Sequence, residues 1–287
     1  MENSEESTGE LTPPAEAFAA VANEIRVGIL RALFDAEEPR SFSDLREDVG
    51  VYDSGQFNYH LGELEGRFVR NGEAGYELTH AGRQIVGSIH SGIYTDNATV
   101  DPVDAGDCPD CNGRLQATYE DEMVEVRCAD CEQTVSTFGV PPTLVGGFDR
   151  SELPLALSRW VTTSLQRTVR GFCSNCSGRT RLSNTEEVPG QEDILGVVYT
   201  CDVCGLSVQG PVGAVVLDHP AVVAFHDEHG IDLRKTLVWE LPWLFEDHAT
   251  RESEDPHRMR VTPEVDGDRI SLVLDGDMSV VSVDTDP

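Results

Sequence analysis

The chain has 287 residues, of which 39% are hydrophobic, and a formal charge of −31. This length exceeds that of an ordinary single domain, so we expect two or three domains, each with its own hydrophobic core. No apolar run approaches the roughly 20 residues that a membrane-spanning helix needs. A bilayer-spanning protein is therefore not expected, and the sequence predicts a soluble, cytoplasmic one.

The charge comes from 52 acidic residues set against twenty arginines and a single lysine, Lys235. Such an imbalance ordinarily indicates disorder, but the apolar periodicity described below is typical of a folded chain. In molar salt the Debye length falls to about 3 Å, and dense carboxylates repel one another weakly. We therefore interpret the charge as the adaptation of a halophile.

The N-terminal third of the chain has the pattern of consecutive helices. Residues 1–14 are polar and predict a disordered lead-in. From Phe18 to Phe34, apolar residues recur at three- and four-residue intervals, which predicts two amphipathic helices with Asn23 as the cap of the second. A short helix should follow, with Ser41 or Ser43 as its cap.

After a four-residue turn at 50–53, Ser54 is the expected cap of a further helix with Phe57, Leu61 and Leu64 on its core face. The exposed polar residues of this helix, and two arginines after it, are the DNA-binding candidates: Ser54, Gln56, Asn58, Tyr59, His60, Arg67 and Arg70. Glutamine and asparagine can read adenine, and arginine can bind phosphate. The alternative for each is that its side chain is simply solvated.

A two-stranded hairpin is predicted at 68–70 and 76–78, followed by a helix that Thr79 caps. Three helices, a hairpin and a closing helix predict a winged helix-turn-helix domain over residues 15–93. In that arrangement the second helix of the motif enters the major groove.

Three segments of this region resemble ArsR-like winged-helix transcriptional regulators: Val21-Ala-Asn-Glu-Ile-Arg-Val-Gly-Ile-Leu30, Phe57-Asn-Tyr-His-Leu-Gly-Glu-Leu64 and Tyr76-Glu-Leu-Thr-His-Ala-Gly82. The resemblance implies a homodimer, built largely from the first and last helices, that binds double-stranded DNA. Metal sensors of that family carry thiolates in this domain, but no cysteine occurs in residues 1–107. Metal sensing there is not expected. His80 and His90 lie on the final helix, where some relatives bind zinc, but they are ten residues apart and lack further ligands, so solvent-facing or core histidines are the favoured interpretation.

Charge sets a constraint on DNA binding. Residues 40–83 hold eight acidic groups and five arginines, whereas DNA-binding domains are usually basic. Phosphate contacts weaken steeply as salt rises. A regulator in molar salt should therefore depend more on base edges and groove shape.

After a predicted linker at 94–107, all eight cysteines occur in four Cys-x-x-Cys pairs: Cys108/Cys111, Cys128/Cys131, Cys173/Cys176 and Cys201/Cys204. Two such pairs separated by one hairpin are typical of a zinc ribbon, so we expect two structural zinc ions per chain. Disulfides and an iron–sulfur cluster are the alternatives. Sequential pairing of the knuckles is simpler than cross-pairing, which remains open.

The remaining chain predicts an α+β multidomain protein. The double zinc-ribbon domain should span 108–245, with helices near 154–170 and 218–229 and an extended stretch at 237–245. A β-meander tail over 246–287, with strands near 258–265, 269–274 and 278–283, should pack on it. Trp160, Trp239 and Trp243 form a pocket, a core or an interface, and His226 with His229 is a weaker metal candidate.

The sequence contains no nucleophile elbow, phosphate loop, dinucleotide fingerprint or zinc-protease helix, so no enzyme is expected. The first hypothesis is a homodimeric, sequence-specific transcription regulator, modulated by an unknown small-molecule or protein effector. The second is a zinc-ribbon adaptor that binds protein or RNA partners of the transcription or RNA-processing machinery. In either case the zinc ribbons act as structural braces.

Overall fold

The computed structural model describes residues 12–185, 187–188, 191–245, 248–255 and 257–286. These residues form eight α-helices and four antiparallel sheets, which confirms the predicted α+β class. The chain divides into two compact units, residues 1–96 and 97–287. Most of the predicted lead-in, residues 1–11, lies outside the described residues. Within the described ranges, every helix is too short or too polar to cross a membrane.

The described residues of the first unit, 12–96, form five helices and one hairpin: α1 (Pro14–Ala19), α2 (Glu24–Asp35), α3 (Phe42–Val49), α4 (Ser54–Gly62), β1 (Val69–Gly72), β2 (Gly75–Leu78) and α5 (His80–His90). Asn23 and Thr79 cap their helices through their side-chain oxygens, as predicted, and of the two candidates for α3, Ser41 and Ser43, the cap is Ser41. The prediction for α4 was wrong by one residue. The Asp53 carboxylate accepts a hydrogen bond from the backbone N–H of Gln56 at 2.7 Å, so Asp53 is the cap and Ser54 lies in the first turn.

The core of the first unit joins α2, α3, α4, the hairpin and α5. Buried apolar side chains from all of these elements form one cluster: Ile29, Leu30, Leu33, Leu45, Phe57, Leu61, Leu64, Phe68, Val69, Leu78 and Val86. The hairpin is also tied to the residue before α3, because Arg40 and Tyr76 exchange two backbone hydrogen bonds of 2.9 and 2.8 Å. Gly75 lies at φ +127°, and a Cβ there would meet the Arg40 carbonyl at 2.5 Å, so this close approach requires glycine.

The second unit begins with a four-stranded antiparallel sheet in sequential order: β3 (Val100–Asp107), β4 (Arg114–Glu120), β5 (Met123–Cys128) and β6 (Thr134–Gly139). The predicted linker at 94–107 was therefore wrong for residues 100–107. Val103 and Ala105 are buried on the inner face of β3, and the Ala105 carbonyl accepts the Trp239 indole N–H at 2.8 Å. These contacts order a segment that is polar in sequence.

A long helix connects this sheet to the next. After α6 (Pro142–Gly146), α7 (Leu153–Val169) packs Leu153 and Leu157 into the first core of the unit and Leu165 into the second. The second sheet consists of β7 (Thr180–Asn184), β8 (Glu187–Val188), β9 (Gln191–Cys201) and β10 (Ser207–Pro211), and α8 (Pro220–Glu228) follows a 3₁₀ turn. Helix α7 was predicted near residues 154–170, and its apolar stripe packs against both sheets.

The segment 237–245 forms two consecutive 3₁₀ turns, Val238–Glu240 and Pro242–Leu244, so the predicted extended stretch was wrong. The two turns send Trp239 and Trp243 into different cores, which an extended chain would not do. A five-stranded antiparallel sheet closes the unit: β11 (Ala249–Glu254), β12 (His257–Val261), β13 (Glu264–Val265), β14 (Asp268–Leu274) and β15 (Val280–Asp286). Its inner face, with Met259, Ile270 and Leu272, shares a core with the second sheet.

Candidate metal centres and the surface of the fourth helix

The first cysteine cluster lies at one end of the β4–β5 hairpin. Cys108 and Cys111 precede β4, and Cys128 ends β5. The sulfur of Cys108 lies 3.8 Å from that of Cys131, and the sulfur of Cys111 lies 3.6 Å from that of Cys128. All four sulfurs lie within 4.8 Å of one another.

The second cysteine cluster repeats this plan on the β7–β9 hairpin. The sulfur–sulfur distances are 3.6 Å between Cys173 and Cys204 and 3.5 Å between Cys176 and Cys201. In both clusters the first cysteine of each pair is buried and the second is exposed. One hairpin therefore brings together the two pairs that are adjacent in sequence, as predicted.

The sulfur positions fit zinc. A tetrahedron with zinc–sulfur bonds of about 2.3 Å has sulfur–sulfur edges of about 3.8 Å, close to the observed separations. All eight cysteines are free, and the sulfurs are too far apart for disulfides, whose bond length is about 2.05 Å. The arrangement is consistent with two zinc sites per chain, which confirms the predicted ligands and the predicted cofactor.

Backbone amides lower the pKa of at least one thiol in each cluster, whereas at Cys111 and Cys176 the amides of Gly113 and Gly178 are outweighed by the neighbouring sulfurs, which raise the pKa of each to about 12. The amides of Cys131 and Asp130 point at the Cys128 sulfur and lower the pKa of that thiol to about 7. The Leu206 amide makes the largest contribution at Cys204 and lowers its pKa to about 6. Charge-assisted N–H···S bonds of this kind stabilise a coordinated thiolate and orient it.

Each N-terminal knuckle has a glycine two residues after its second cysteine, and the sequence suggests that this glycine supplies a permissive backbone. The structure gives a different reason. The left-handed residues are Asn112 at φ 56° and Ser177 at φ 60°, and Gly113 and Gly178 follow them. A Cβ on Gly113 would lie 2.4 Å from the Asp130 carboxylate, so glycine is needed for space.

The candidate DNA-contacting residues of α4 lie on its outer surface. Ser54, Gln56 and Asn58 are exposed, and Tyr59 is 60% exposed. His60 is half-buried, with its ring edge-on to Tyr59 at 5.1 Å, and its Nδ1 has no hydrogen-bond partner among the described residues. Four of the five helix candidates can therefore reach a ligand, whereas His60 is less accessible.

The two arginine candidates are already engaged. The Arg67 guanidinium donates a hydrogen bond to Thr12 and lies 5.9 Å from the Phe68 ring centroid. Arg70 donates to the Glu77 carboxylate at 2.8 Å across the β1–β2 hairpin, and this bond raises the pKa of Arg70 and lowers that of Glu77. Arg70 is on the exposed surface of the hairpin, so of the two it is the better phosphate candidate.

The tryptophans and clustered histidines belong to the packing of the second unit. Trp239 and Trp243 are buried, while Trp160 is 38% exposed. Trp243 donates its indole N–H to His226 Nε2 at 3.1 Å, and the other ring nitrogen of His226 donates to the Val222 carbonyl at 2.8 Å. Burial lowers the pKa of His226. With both nitrogens occupied by protein groups, His226 is not placed to bind a metal.

His229 is also held by protein groups. Its Nδ1 contacts the Phe225 carbonyl at 2.8 Å, and its Nε2 contacts the Asp268 carboxylate at 3.1 Å. These hydrogen bonds raise the pKa of His229. In the part of the chain that the structure describes, the two cysteine clusters are the groups with metal-binding geometry.

The fold and the cysteine clusters define an α+β protein of two units, the second of which carries two four-cysteine metal centres. Residues 105–280 match the family described as domain of unknown function DUF7351, and because this match covers more than half of the chain, the chain belongs to that family. Residues 14–89 match a second family, domain of unknown function DUF7347. Comparisons with curated proteins and with solved structures found no match.

Proposed function

We propose that this protein is a homodimeric, sequence-specific DNA-binding transcription regulator of the ArsR-like winged-helix type. The observation that carries the proposal is the surface of α4. This helix follows α3 after a short turn, buries Phe57 and Leu61, and presents Gln56, Asn58 and Tyr59 to solvent. Planar amides on an exposed helix after a tight turn suit base edges in the major groove.

In this proposal the β1–β2 hairpin is the wing of the winged helix-turn-helix domain. Its turn lies at 72–75, and Asn71 and Glu73 are exposed beside Arg70. A hairpin with a single arginine makes few phosphate contacts, which suits a protein that binds DNA in high salt, where such contacts contribute little. Base readout by α4 then supplies most of the discrimination.

Exposed apolar residues support the dimer. Phe18 on α1 is 67% exposed, and just after α5 Ile93 is 39% and Tyr94 80% exposed. Aromatic residues are enriched at protein interfaces. We propose that α1 and the segment after α5 form the homodimer interface.

The two zinc ribbons brace the second unit in this proposal, and they have no catalytic role. Four-cysteine sites are closed, because all coordination positions are filled by protein. A groove of about 910 Å³ between α7, α8 and the segment 231–241, with Val223 and Leu233 among its apolar residues and Gln166 and Asp227 among its polar ones, is our candidate for the effector site. Its size suits a small molecule.

The test is selection of genomic DNA fragments by the full zinc-loaded chain in molar KCl, followed by binding measurements on the enriched sequence. The variant Gln56→Ala/Tyr59→Ala should weaken binding at least about tenfold, because each good base contact contributes about 1–3 kcal/mol. Its melting temperature should be unchanged, since both side chains are exposed. The control variant Gln116→Ala/Phe148→Ala removes an exposed amide and an exposed aromatic ring from the second unit and should bind normally.

Two results would count against the proposal. If no sequence is enriched while the chain retains protein partners in a pull-down, the adaptor hypothesis is favoured. If the α4 variant binds the enriched sequence with unchanged affinity, recognition lies elsewhere.

A further inference from the structure

One stretch of this acidic chain contains no acidic residue. Residues 153–185 include five arginines and no aspartate or glutamate, in a protein with 52 acidic residues in 287. The stretch comprises α7, the first knuckle of the second cysteine cluster and β7. The stretch therefore carries positive charge in a chain that is otherwise strongly acidic.

The arginines next to the knuckle are exposed, and two of them have no acidic partner among the described residues. Arg167 donates to the Ser177 hydroxyl at 2.7 Å, so its guanidinium lies against the knuckle. Arg179 makes no ion pair with any described residue. By contrast, Arg170 pairs with Asp218 and Arg181 pairs with Asp202. Two arginines without a carboxylate partner among the described residues therefore flank the second cysteine cluster.

The outer face of the second sheet continues this surface with hydroxyl groups. Arg179 and Arg181 alternate with the buried Thr180, so both point outwards. Beyond Arg181, the hydroxyls of Ser183, Thr200 and Ser207 form a row across three strands, with oxygen–oxygen distances of 3.0 and 3.1 Å. The Ser183 hydroxyl donates to the Val198 carbonyl at 2.9 Å, so the row uses its own protons and the guanidinium groups are the donors that suit the oxygens of a phosphodiester backbone.

Exposed apolar side chains border the same arginines. Phe172 is 58% exposed and lies directly across an antiparallel bridge from Arg179. Val203, in the other knuckle, is 73% exposed. An exposed ring beside an unpaired guanidinium is the combination on which nucleic-acid bases stack.

We propose that the outer face of the second cysteine cluster, formed by Arg167, Phe172 and Arg179, is a second nucleic-acid-binding surface that contacts the phosphate backbone. This goes beyond the proposed role of α4, because it assigns binding to a ribbon otherwise considered only a brace. It does not require α4 to bind DNA.

A protein partner with an acidic surface is the competing occupant. The arrangement favours nucleic acid because the apolar residues stand beside guanidinium and hydroxyl groups, whereas a protein interface has an apolar centre with a polar rim. The remainder of this chain would repel a polyanion. The stretch 153–185 contributes no carboxylate to this surface, and the two carboxylates that reach it, Asp202 and Asp218, are paired with Arg181 and Arg170, so a phosphate backbone can approach Arg167 and Arg179.

The experiment uses the full zinc-loaded chain and labelled random-sequence duplex DNA, single-stranded DNA and single-stranded RNA, with affinity measured over a series of KCl concentrations. Arg167→Gln/Arg179→Gln should weaken binding to at least one of these by about tenfold or more at the lowest salt. For duplex DNA the slope of log K against log[KCl] should fall in magnitude by about 1.8, or about 0.9 for each phosphate that the variant no longer neutralises. Phe172→Ala should weaken single-strand binding more than duplex binding.

The matched control is Arg251→Gln/Arg269→Gln, which makes the same charge change on the last sheet and should leave affinity and slope unchanged. Equal losses in both double variants would show a general charge effect and overturn the proposal. Competition by polyglutamate as effective as that by nucleic acid would assign the surface to an acidic protein and overturn it as well. Gln56→Ala/Tyr59→Ala separates the two proposals. If binding to random-sequence nucleic acid is retained in this variant but lost in Arg167→Gln/Arg179→Gln, the ribbon surface is supported, whether or not α4 binds DNA.

Discussion

Replacement of Cys128 by serine tests the zinc architecture most directly. The Cys128 side chain is buried, lies 3.6 Å from the Cys111 sulfur, and accepts amide N–H bonds from Asp130 and Cys131. It also ends β5, the strand paired with β4 and β6. Loss of this ligand therefore releases both knuckles from the sheet that they close.

The expected effect is large. Structural zinc contributes about 10–16 kcal/mol to the folding of small zinc domains, whereas a whole domain is stable by about 5–15 kcal/mol. The first core of the second unit is small and includes the cysteines themselves: Val103, Ala105, Cys108, Leu115, Ala117, Tyr119, Val124, Val126, Cys128, Val135, Val140, Val145, Leu153, Leu157 and Trp239. We therefore expect the sheet of β3–β6 to unfold when its zinc is lost.

Elemental analysis and hydrogen exchange measure the two consequences. Zinc content should fall from two ions per chain to one, and amide protection should be lost over residues 100–139 but retained in α2 of the first unit. Cys201→Ser is the matched control, because it also removes a buried ligand at the end of a strand, and its loss of protection should begin in β7–β10. Two zinc ions per chain in Cys128→Ser, or loss of protection first in the second sheet, would refute the ligand pairing.

Local sequence signals predicted the metal centres and the helices well. A two-residue gap places both thiolates of a knuckle on one metal, so the ligands are evident without tertiary information. Asn23, Ser41 and Thr79 are capping residues next to apolar stripes, and each caps the expected helix. At α4 two capping residues are adjacent, and the choice of Ser54 over Asp53 was wrong because both types suit the position.

Elements defined by distant contacts were missed. β3 has the sequence Val-Asp-Pro-Val-Asp-Ala-Gly-Asp, which reads as a linker because it holds two buried residues and three exposed aspartates. The carbonyl of Ala105 is satisfied by Trp239, which lies 134 residues later. β11 is mostly polar in the same way and is held by pairing with β12. The arginine-rich surface beside the second cysteine cluster could have been predicted from the stretch 153–185, which has no acidic residue. The net charge of the whole chain does not show this stretch.

Two further predictions concern buried polar contacts. Trp239→Phe should lower the free energy of unfolding by about 2–4 kcal/mol in chemical denaturation, because it orphans the Ala105 carbonyl and leaves a cavity; Trp160→Phe, at an exposed site, is the control and should cost below about 1 kcal/mol. Burial lowers the pKa of His226 below its ordinary value of 6.5. Above pH 6.5 the ring is neutral in both the folded and the unfolded chain. As the pH falls below 6.5 the unfolded chain takes up a proton before the folded chain does, so the free energy of unfolding decreases. In denaturation across pH 5–8, His226→Gln, which can still accept the Trp243 N–H, should flatten this acid-side loss. An identical pH profile for wild type and variant would show that His226 does not titrate differently in the folded chain.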